Sequence, residues 1–296
     1  MPFDLDYFNK ITKGGLPNKT LNIALAGTGV GKSLFMCHVA ASCISQGYDV
    51  LYITLEMAEE KIAERIDANL LNISLNELVV IPKEDYVRRF QAIQSKTRGK
   101  LIIKEYPTAS ASAMHFRSLL NELQLKKNFH PKIIFVDYLN ICCSSRLKMG
   151  SSVNSYTYIK SIAEELRGLA VEFNVPIVSA TQTTRSGYTN TDVGLEDTSE
   201  SFGLPATADF MFALITTEEL QQLNQIMVKQ LKNRYNDPTQ NKKFVIGVDR
   251  SKMRLYDVES HAQDLIDSGQ DMPDKPINTF GNRERKFNSK FEGVRV

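Results

Sequence analysis

An α/β fold on a mostly parallel sheet, with helices on both faces, is predicted by three observations. Short apolar runs alternate with amphipathic stretches from about residue 21 to residue 181. The runs are almost continuously apolar, as strands buried on both faces must be. A glycine-rich turn, Gly27-Thr28-Gly29-Val30-Gly31, links the first run to a helical pattern, in the strand–turn–helix order of phosphate-binding loops.

The elements follow in order. Leu21 to Leu25 is the first strand, and Ala26 to Ser33 matches G-x-x-x-x-G-K-[ST] except that Ala26 holds the first glycine position. In such a loop, backbone N–H groups converge on phosphate oxygens at a helix N-terminus, the lysine adds a point charge, and the hydroxyl can ligate Mg²⁺. Residues Gly27, Thr28, Gly29, Val30, Gly31, Lys32, Ser33 and Leu34 are therefore the candidate phosphate cradle, and Leu34, Phe35, Val39, Ala40 and Ile44 mark the core face of its helix. Asp49 to Leu55 reads as a buried strand running into Glu56, and helices are predicted over Ala58 to Leu71 and about Glu84 to Lys96. Lys100 to Tyr106 is a strand, about Ser112 to Leu125 a helix, Lys132 to Leu139 a strand, Tyr158 to Phe173 a long helix and Val175 to Thr181 a strand.

From Asp209 the pattern changes to "DFMFALIT", "QIMVKQLKNR" and "KKFVIGV", three strands with short connections. They are predicted as an antiparallel extension of the same sheet. One domain over residues 1–258 is the expectation, with 259–296 a polar tail that has prolines, a basic excess and no helical period.

Composition narrows the class without choosing a function. Hydrophobic residues make up 42% of 296 positions, enough for a sizeable core. No apolar run approaches the roughly 20 residues of a membrane span, and the acidic, polar start "MPFDLDYFNK" is unlike a secretory leader. The expectation is a cytoplasmic protein with no membrane association. Lys and Arg total 36 against 34 Asp and Glu, a balance that neither demands nor excludes nucleic acid. Cys37, Cys43, Cys142 and Cys143 lack metal-ligand spacing and read as reduced core thiols, and the four scattered histidines do not form a metal motif. Tyr156 and Tyr158 precede a long amphipathic helix and read as packing residues.

Three strand ends carry polar residues with a chemical use. Asp137 closes Ile133-Ile134-Phe135-Val136, the form in which a carboxylate faces Mg²⁺ beside a phosphate loop. Glu56 closes "YITLEM", where a glutamate could accept a proton from water attacking a γ-phosphate, although standing alone it would more often be a helix N-terminal charge. Gln182 closes "SATQ", where an amide can donate to a γ-phosphate and move the loop behind it. Ligands of open α/β sheets bind beyond the carboxyl ends of the strands, so the coincidence points to one site.

Those segments, "GLPNKTLNIALAGTGVGKS", "YITLEM", "IIFVDYLNI", "NVPIVSATQTTR" and "VKQLKNR", resemble the five consecutive motifs of the DnaB-family hexameric replicative helicases, in their T4-type bacteriophage form. The resemblance covers roughly residues 3 to 258. It implies a RecA-like three-layer core with an antiparallel C-terminal extension, ATP or another triphosphate with Mg²⁺ as cofactors, and 5′ to 3′ movement on single-stranded DNA. It also implies a homo-oligomeric, hexameric ring, a primase and a helicase loader as partners, and a host bacterial cytoplasm for a phage protein. Residue by residue, Lys32 and Ser33 would bind phosphate and Mg²⁺, Asp137 would hold Mg²⁺ through water, Glu56 would be the catalytic base and Gln182 the γ-phosphate sensor. Arg234 would be an arginine finger, with Lys232 its companion, both entering the neighbouring subunit's site. The loop after Gln182 would grip the DNA backbone, with Arg185, Glu200, Ser201 and Gly203 as candidate contacts.

Two departures qualify the match. Ala26 replaces a glycine, and residues 183–203 contain a single basic residue, Arg185, beside Asp192, Glu196, Asp197 and Glu200. DNA contact there would rest on backbone N–H groups, hydroxyls and Arg185. The family's usual N-terminal collar and linker helix are not seen before the first strand, so the expectation is a motor-domain fragment or a chain that lost its collar. Rival readings are a RecA-type recombinase or circadian-clock-type ATPase, a small-molecule kinase, which should carry an arginine-bearing lid, and a passive nucleotide-binding module.

Overall fold

The computed structural model describes residues 1–95, 97–148, 153–183, 203–258 and 263. After helix α1 (Asp6–Thr12), strand β1 (Leu21–Ala26) leads into α2 (Lys32–Ser45) and β2 (Val50–Thr54). Three helices follow, α3 (Glu59–Leu71), α4 (Leu75–Val80) and α5 (Lys83–Gln94), then β3 (Leu101–Glu105) and α6 (Ala113–Lys127). Next come β4 (Ile133–Asp137), a 3-10 turn (Leu139–Ile141), α7 (Ser155–Phe173) and β5 (Ile177–Gln182). The chain continues with α8 (Gly203–Thr207), β6 (Phe210–Ile215), α9 (Glu218–Gln222), β7 (Gln225–Asn233), β8 (Lys243–Asp249) and β9 (Arg254–Asp257).

The strands form one nine-stranded sheet in the order β3-β2-β4-β5-β1-β6-β7-β8-β9. The first six in that order are parallel, and β6 to β9 pair antiparallel. Strand-by-strand alternation sets two apolar layers. On β4, Ile133 and Phe135 join the layer under α1, α2 and α3, whereas Ile134 and Val136 join the layer under α6 and α7. All five β4 residues are buried, as a central parallel strand requires. The fold is the RecA-like three-layer α/β arrangement.

The sequence expectations need correction in several places. The C-terminal part has four strands rather than three, because "RLYD" adds β9. Its first strand, β6, is parallel to β1 and so belongs to the parallel sheet. An apolar run carries no mark of direction. Helices α1 and α4 are additions to the expected elements: α1 has only seven residues, and α4 only six, with a Ser74–Glu77 capping box. Cys143 is partly exposed, whereas Cys37, Cys43 and Cys142 are buried, and all four are free thiols.

Tyr158 is buried as a packing residue, whereas Tyr156, in the first turn of α7, is exposed. Among the described residues, no helix is long and apolar enough to cross a membrane.

Candidate active site

The parallel topology brings the carboxyl ends of β1, β2, β4 and β5 to one rim. Register fixes the neighbours: Ala26 lies beside Gln182, and Thr54 beside Asp137. Beyond Ala26 the chain turns through Gly29 at φ 77° and Gly31 at φ 139°, the left-handed region where a Cβ is strained. Helix α2 then begins at Lys32, aiming its N-terminus at the rim.

A pocket of about 310 Å³ opens there, lined by Thr28, Gly29, Gly31, Lys32, Ser33 and Leu34 of the P-loop together with Glu56 and Gln182. Lys32 is buried, and its Nζ reaches the carbonyls of Ala26 and Gly27, each at 3.4 Å. Those are long bonds, easily exchanged for a phosphate oxygen. Burial pushes the Lys32 ammonium below its ordinary pKa, while Glu56 and Asp137 pull it back up. The two anionic groups therefore favour the charged lysine against its burial.

Asp137 is fully buried at the end of β4. Its Oδ2 accepts from the Tyr52 hydroxyl at 3.0 Å. Burial raises its pKa, and Tyr52 and Ser33 act against that rise by favouring the charged form. The other oxygen, Oδ1, has no hydrogen-bond partner among the described residues. A buried carboxylate oxygen left so is costly unless something cationic or a water completes it. With the Ser33 hydroxyl beside it, this donor set fits Mg²⁺, which takes one or two protein oxygens and draws the rest from water and phosphates. Among the described residues, no group of three or more His, Cys, Asp or Glu is placed to hold a metal ion.

Glu56 is exposed in the turn after β2, where Leu55 N–H donates to the Asp137 carbonyl at 2.8 Å and Thr54 Oγ1 to the Met57 carbonyl at 2.7 Å. Gln182 Nε2 donates to the Tyr138 hydroxyl at 3.3 Å. The structure thus gathers Lys32, Ser33, Glu56, Asp137 and Gln182 at one rim.

Two arginines at the pocket were missed from sequence. Arg65 lines it from α3, and Arg250, from the turn between β8 and β9, donates to the carbonyls of Gly29 at 3.4 Å and Val30 at 3.2 Å. Arg65 sits in "EEKIAERIDANLL", which reads as a solvated helix face, and Arg250 arrives only when the β8–β9 hairpin folds back on the loop. A larger cleft of about 630 Å³ between α3, α5 and β3 is lined mainly by apolar side chains such as Leu70, Phe90 and Ile103, and none of the rim residues reaches it.

Lys232 and Arg234 lie elsewhere. At the start of β6, Asp209 accepts Arg234 Nη1 at 2.8 Å and also the N–H of Leu21 at 3.0 Å. Leu21 is the first residue of β1 and Ala26 the last. Five strand steps of ~3.3 Å put Arg234 roughly 16 Å along the sheet from its own P-loop. Arg185, Glu200 and Ser201 lie outside the described residues, as does nearly all of the tail after residue 258, whereas Gly203 opens α8.

The family of the DnaB-like helicase C terminal domain matches residues 1–253. A DnaB-like replicative helicase of Enterobacteria phage T4 is 49% identical over 262 residues, which cover 88% of this chain and 55% of that protein. A replicative DNA helicase DnaB of Synechocystis is 28% identical over 193 residues, covering 64% of this chain and 21% of that protein. The chain thus spans about half or less of these relatives' lengths. Among solved structures, a DnaB-like replicative helicase, described with its interactions with primase, superposes with TM-score 0.71 at 18% identity, covering 87% of this chain and 62% of that one. A separately solved ATPase domain also gives 0.71 at 18% identity, covering 87% and 91% respectively.

Proposed function

The chain belongs to the DnaB-like helicase C terminal domain family, and from that premise we propose that it is the ATP-hydrolysing motor of a replicative DNA helicase, translocating on single-stranded DNA within a hexameric ring. The observation that carries the reading is the convergence of Lys32, Ser33, Glu56, Asp137 and Gln182, distant in sequence, at one rim of the sheet.

Each group has a task there. The P-loop N–H groups and Lys32 hold the triphosphate, and Lys32 leaves its two carbonyl contacts to do so. Ser33 and the Oδ1 of Asp137, which lacks a hydrogen-bond partner among the described residues, would hold Mg²⁺. When bound, that ion neutralises charge on the β- and γ-phosphates. Glu56, on the solvent side, accepts the proton of the attacking water. Gln182 trades its Tyr138 contact for the γ-phosphate and transmits the phosphate's loss to the segment that follows it. Arg234, with Lys232 beside it, completes the adjoining subunit's site, since a strand's length separates it from its own.

DNA contact is assigned to the loop of residues 183–203, Arg185 included, on the resemblance of the motifs. A primase and a loader are the protein partners this reading implies, and the bacterial cytoplasm is its setting. Triphosphate hydrolysis measured with and without single-stranded DNA, alongside displacement of an annealed strand, tests it. DNA-stimulated hydrolysis with displacement is expected. Hydrolysis indifferent to DNA, or transfer of the phosphate to a small acceptor, would refute it.

A further inference from the structure

The end of the sheet away from the P-loop gathers three cations around one carboxylate. Asp209, only 5% exposed, receives Arg167 as a fork, Nε to Oδ2 at 3.0 Å and Nη2 to Oδ1 at 3.1 Å. It receives Arg234 through Nη1 alone, at 2.8 Å. Lys232 Nζ is spent on the carbonyls of Pro205 and Ala206.

The two arginines are therefore held unequally. Arg167 takes the bidentate geometry that matches a carboxylate best. Arg234 has Nη2 at a long 3.4 Å from the Ala206 carbonyl, its Nε has no partner among the described residues, and its side chain is 47% exposed. The arginine is held firmly at Nη1 and by a long, easily exchanged bond at Nη2, with Nε open.

We infer that Asp209 is the positioning residue of the finger: neutralised by Arg167, it fixes Arg234 in one orientation and leaves the outward N–H groups for a phosphate oxygen of the adjoining subunit's nucleotide. The inference rests on the proposed action of Arg234 in trans. A free arginine would have to surrender its rotamer freedom at the moment of reaction, and the tether removes that cost beforehand. Arg167 has an equal part. A lone Asp209–Arg234 pair would be neutral, whereas one carboxylate against two guanidiniums leaves the three-residue group with a net positive charge. Asp209 in turn is what allows the cations to gather. Burial and then Arg234 depress the Lys232 ammonium, and the carboxylate opposes them. Its own pKa is lowered by Arg167, by the Leu21 N–H and by Arg234, against the opposing effect of burial, so it stays charged at neutral pH.

The test uses the full chain on single-stranded DNA and reads kcat separately from affinity for a non-hydrolysable triphosphate. Asp209→Asn and Arg167→Gln should each lower kcat about 10- to 100-fold, the scale of a misplaced catalytic group, with affinity changed by less than about twofold. In an Arg234→Lys background, which offers no guanidinium to aim, Asp209→Asn should cost less than about threefold more. Arg167 is half-exposed, so Arg167→Gln keeps the test alive should Asp209→Asn fail to fold. A folded Arg167→Gln or Asp209→Asn with the parental kcat overturns the inference, and so does an undiminished loss in the Arg234→Lys background. Full turnover by Arg234→Ala would instead remove the trans finger itself, and Asp209 with it.

Discussion

The Tyr52 hydroxyl donates to Asp137 Oδ2 across 3.0 Å in the interior of the sheet, where neither residue is exposed. One strand's aromatic side chain thereby favours the charged form of the next strand's carboxylate, against the larger effect of burial, which raises its pKa. Losing that donor favours the neutral acid. Tyr52→Phe should therefore raise the Mg²⁺ concentration needed for half-maximal hydrolysis by roughly 3- to 30-fold, since a hydrogen bond to a charged group is worth ~1.5–3 kcal/mol and part of it is recovered by relaxation. It should also shift the acid limb of the rate profile to higher pH. Mg²⁺ titrations at two pH values check both, and an unchanged requirement would mean that Tyr52 only packs.

Lys32 and Glu56 face the same pocket from unlike positions, one buried and the other exposed. Lys32→Ala should lose triphosphate binding, because a fixed positive charge leaves the phosphate cradle. Glu56→Gln should still bind, yet hydrolyse ~10²–10⁴-fold more slowly, the range for a general base. Equal losses of affinity in the two variants would contradict these roles.

Arg234→Ala should abolish turnover without abolishing nucleotide binding, since fingers supplied in trans are worth about 10³–10⁵ in rate. Mixing it with Lys32→Ala under conditions of subunit exchange should restore part of the activity, because some contacts then pair an intact loop with an intact arginine. Parental turnover by a verified monomer would place all the catalytic groups in one chain.

Asp209 also makes a prediction about acid. Its pKa lies below the ordinary carboxylate value of 3.8, so the stability it contributes is complete above that value and disappears as pH falls through the lower, folded-state pKa. Asp137, whose pKa is raised, acts in the opposite sense and favours the free fold as pH drops. Denaturant unfolding of parent and Asp209→Asn should therefore differ most at neutral pH and converge as pH falls below about 4. A constant difference across that range would show that charge is not what Asp209 contributes.

The sequence discloses the rim better than the opposite end for a physical reason. Gly29 and Gly31, Lys32, and the polar residues closing apolar strands are local signals, each set by its own few neighbours. Asp209 looks like an ordinary strand flank, and its role depends on Arg167 and Arg234, which are 42 and 25 residues away in sequence. Arg65 and Arg250 were hidden for the same reason, since only tertiary folding turns α3 and the β8–β9 hairpin toward the loop. Strand direction is equally non-local: "DFMFALIT" gives burial, but pairing with β1 decides that it runs parallel.

The placement of the P-loop and Arg234 at opposite ends of β1 gives the subunit a polarity. If each catalytic centre needs one end from each of two molecules, contact is head-to-tail, and an open row of subunits always completes one centre fewer than it has members. The leading molecule has an arginine with nothing to serve, and the trailing one a phosphate loop that nothing serves. Closing the row adds no residue and no new kind of surface, yet it converts both unused ends into a working centre. Turnover per subunit would then depend on the state of closure as well as on how many molecules have associated, so an agent that opened one seam would change the rate without touching any nucleotide contact elsewhere.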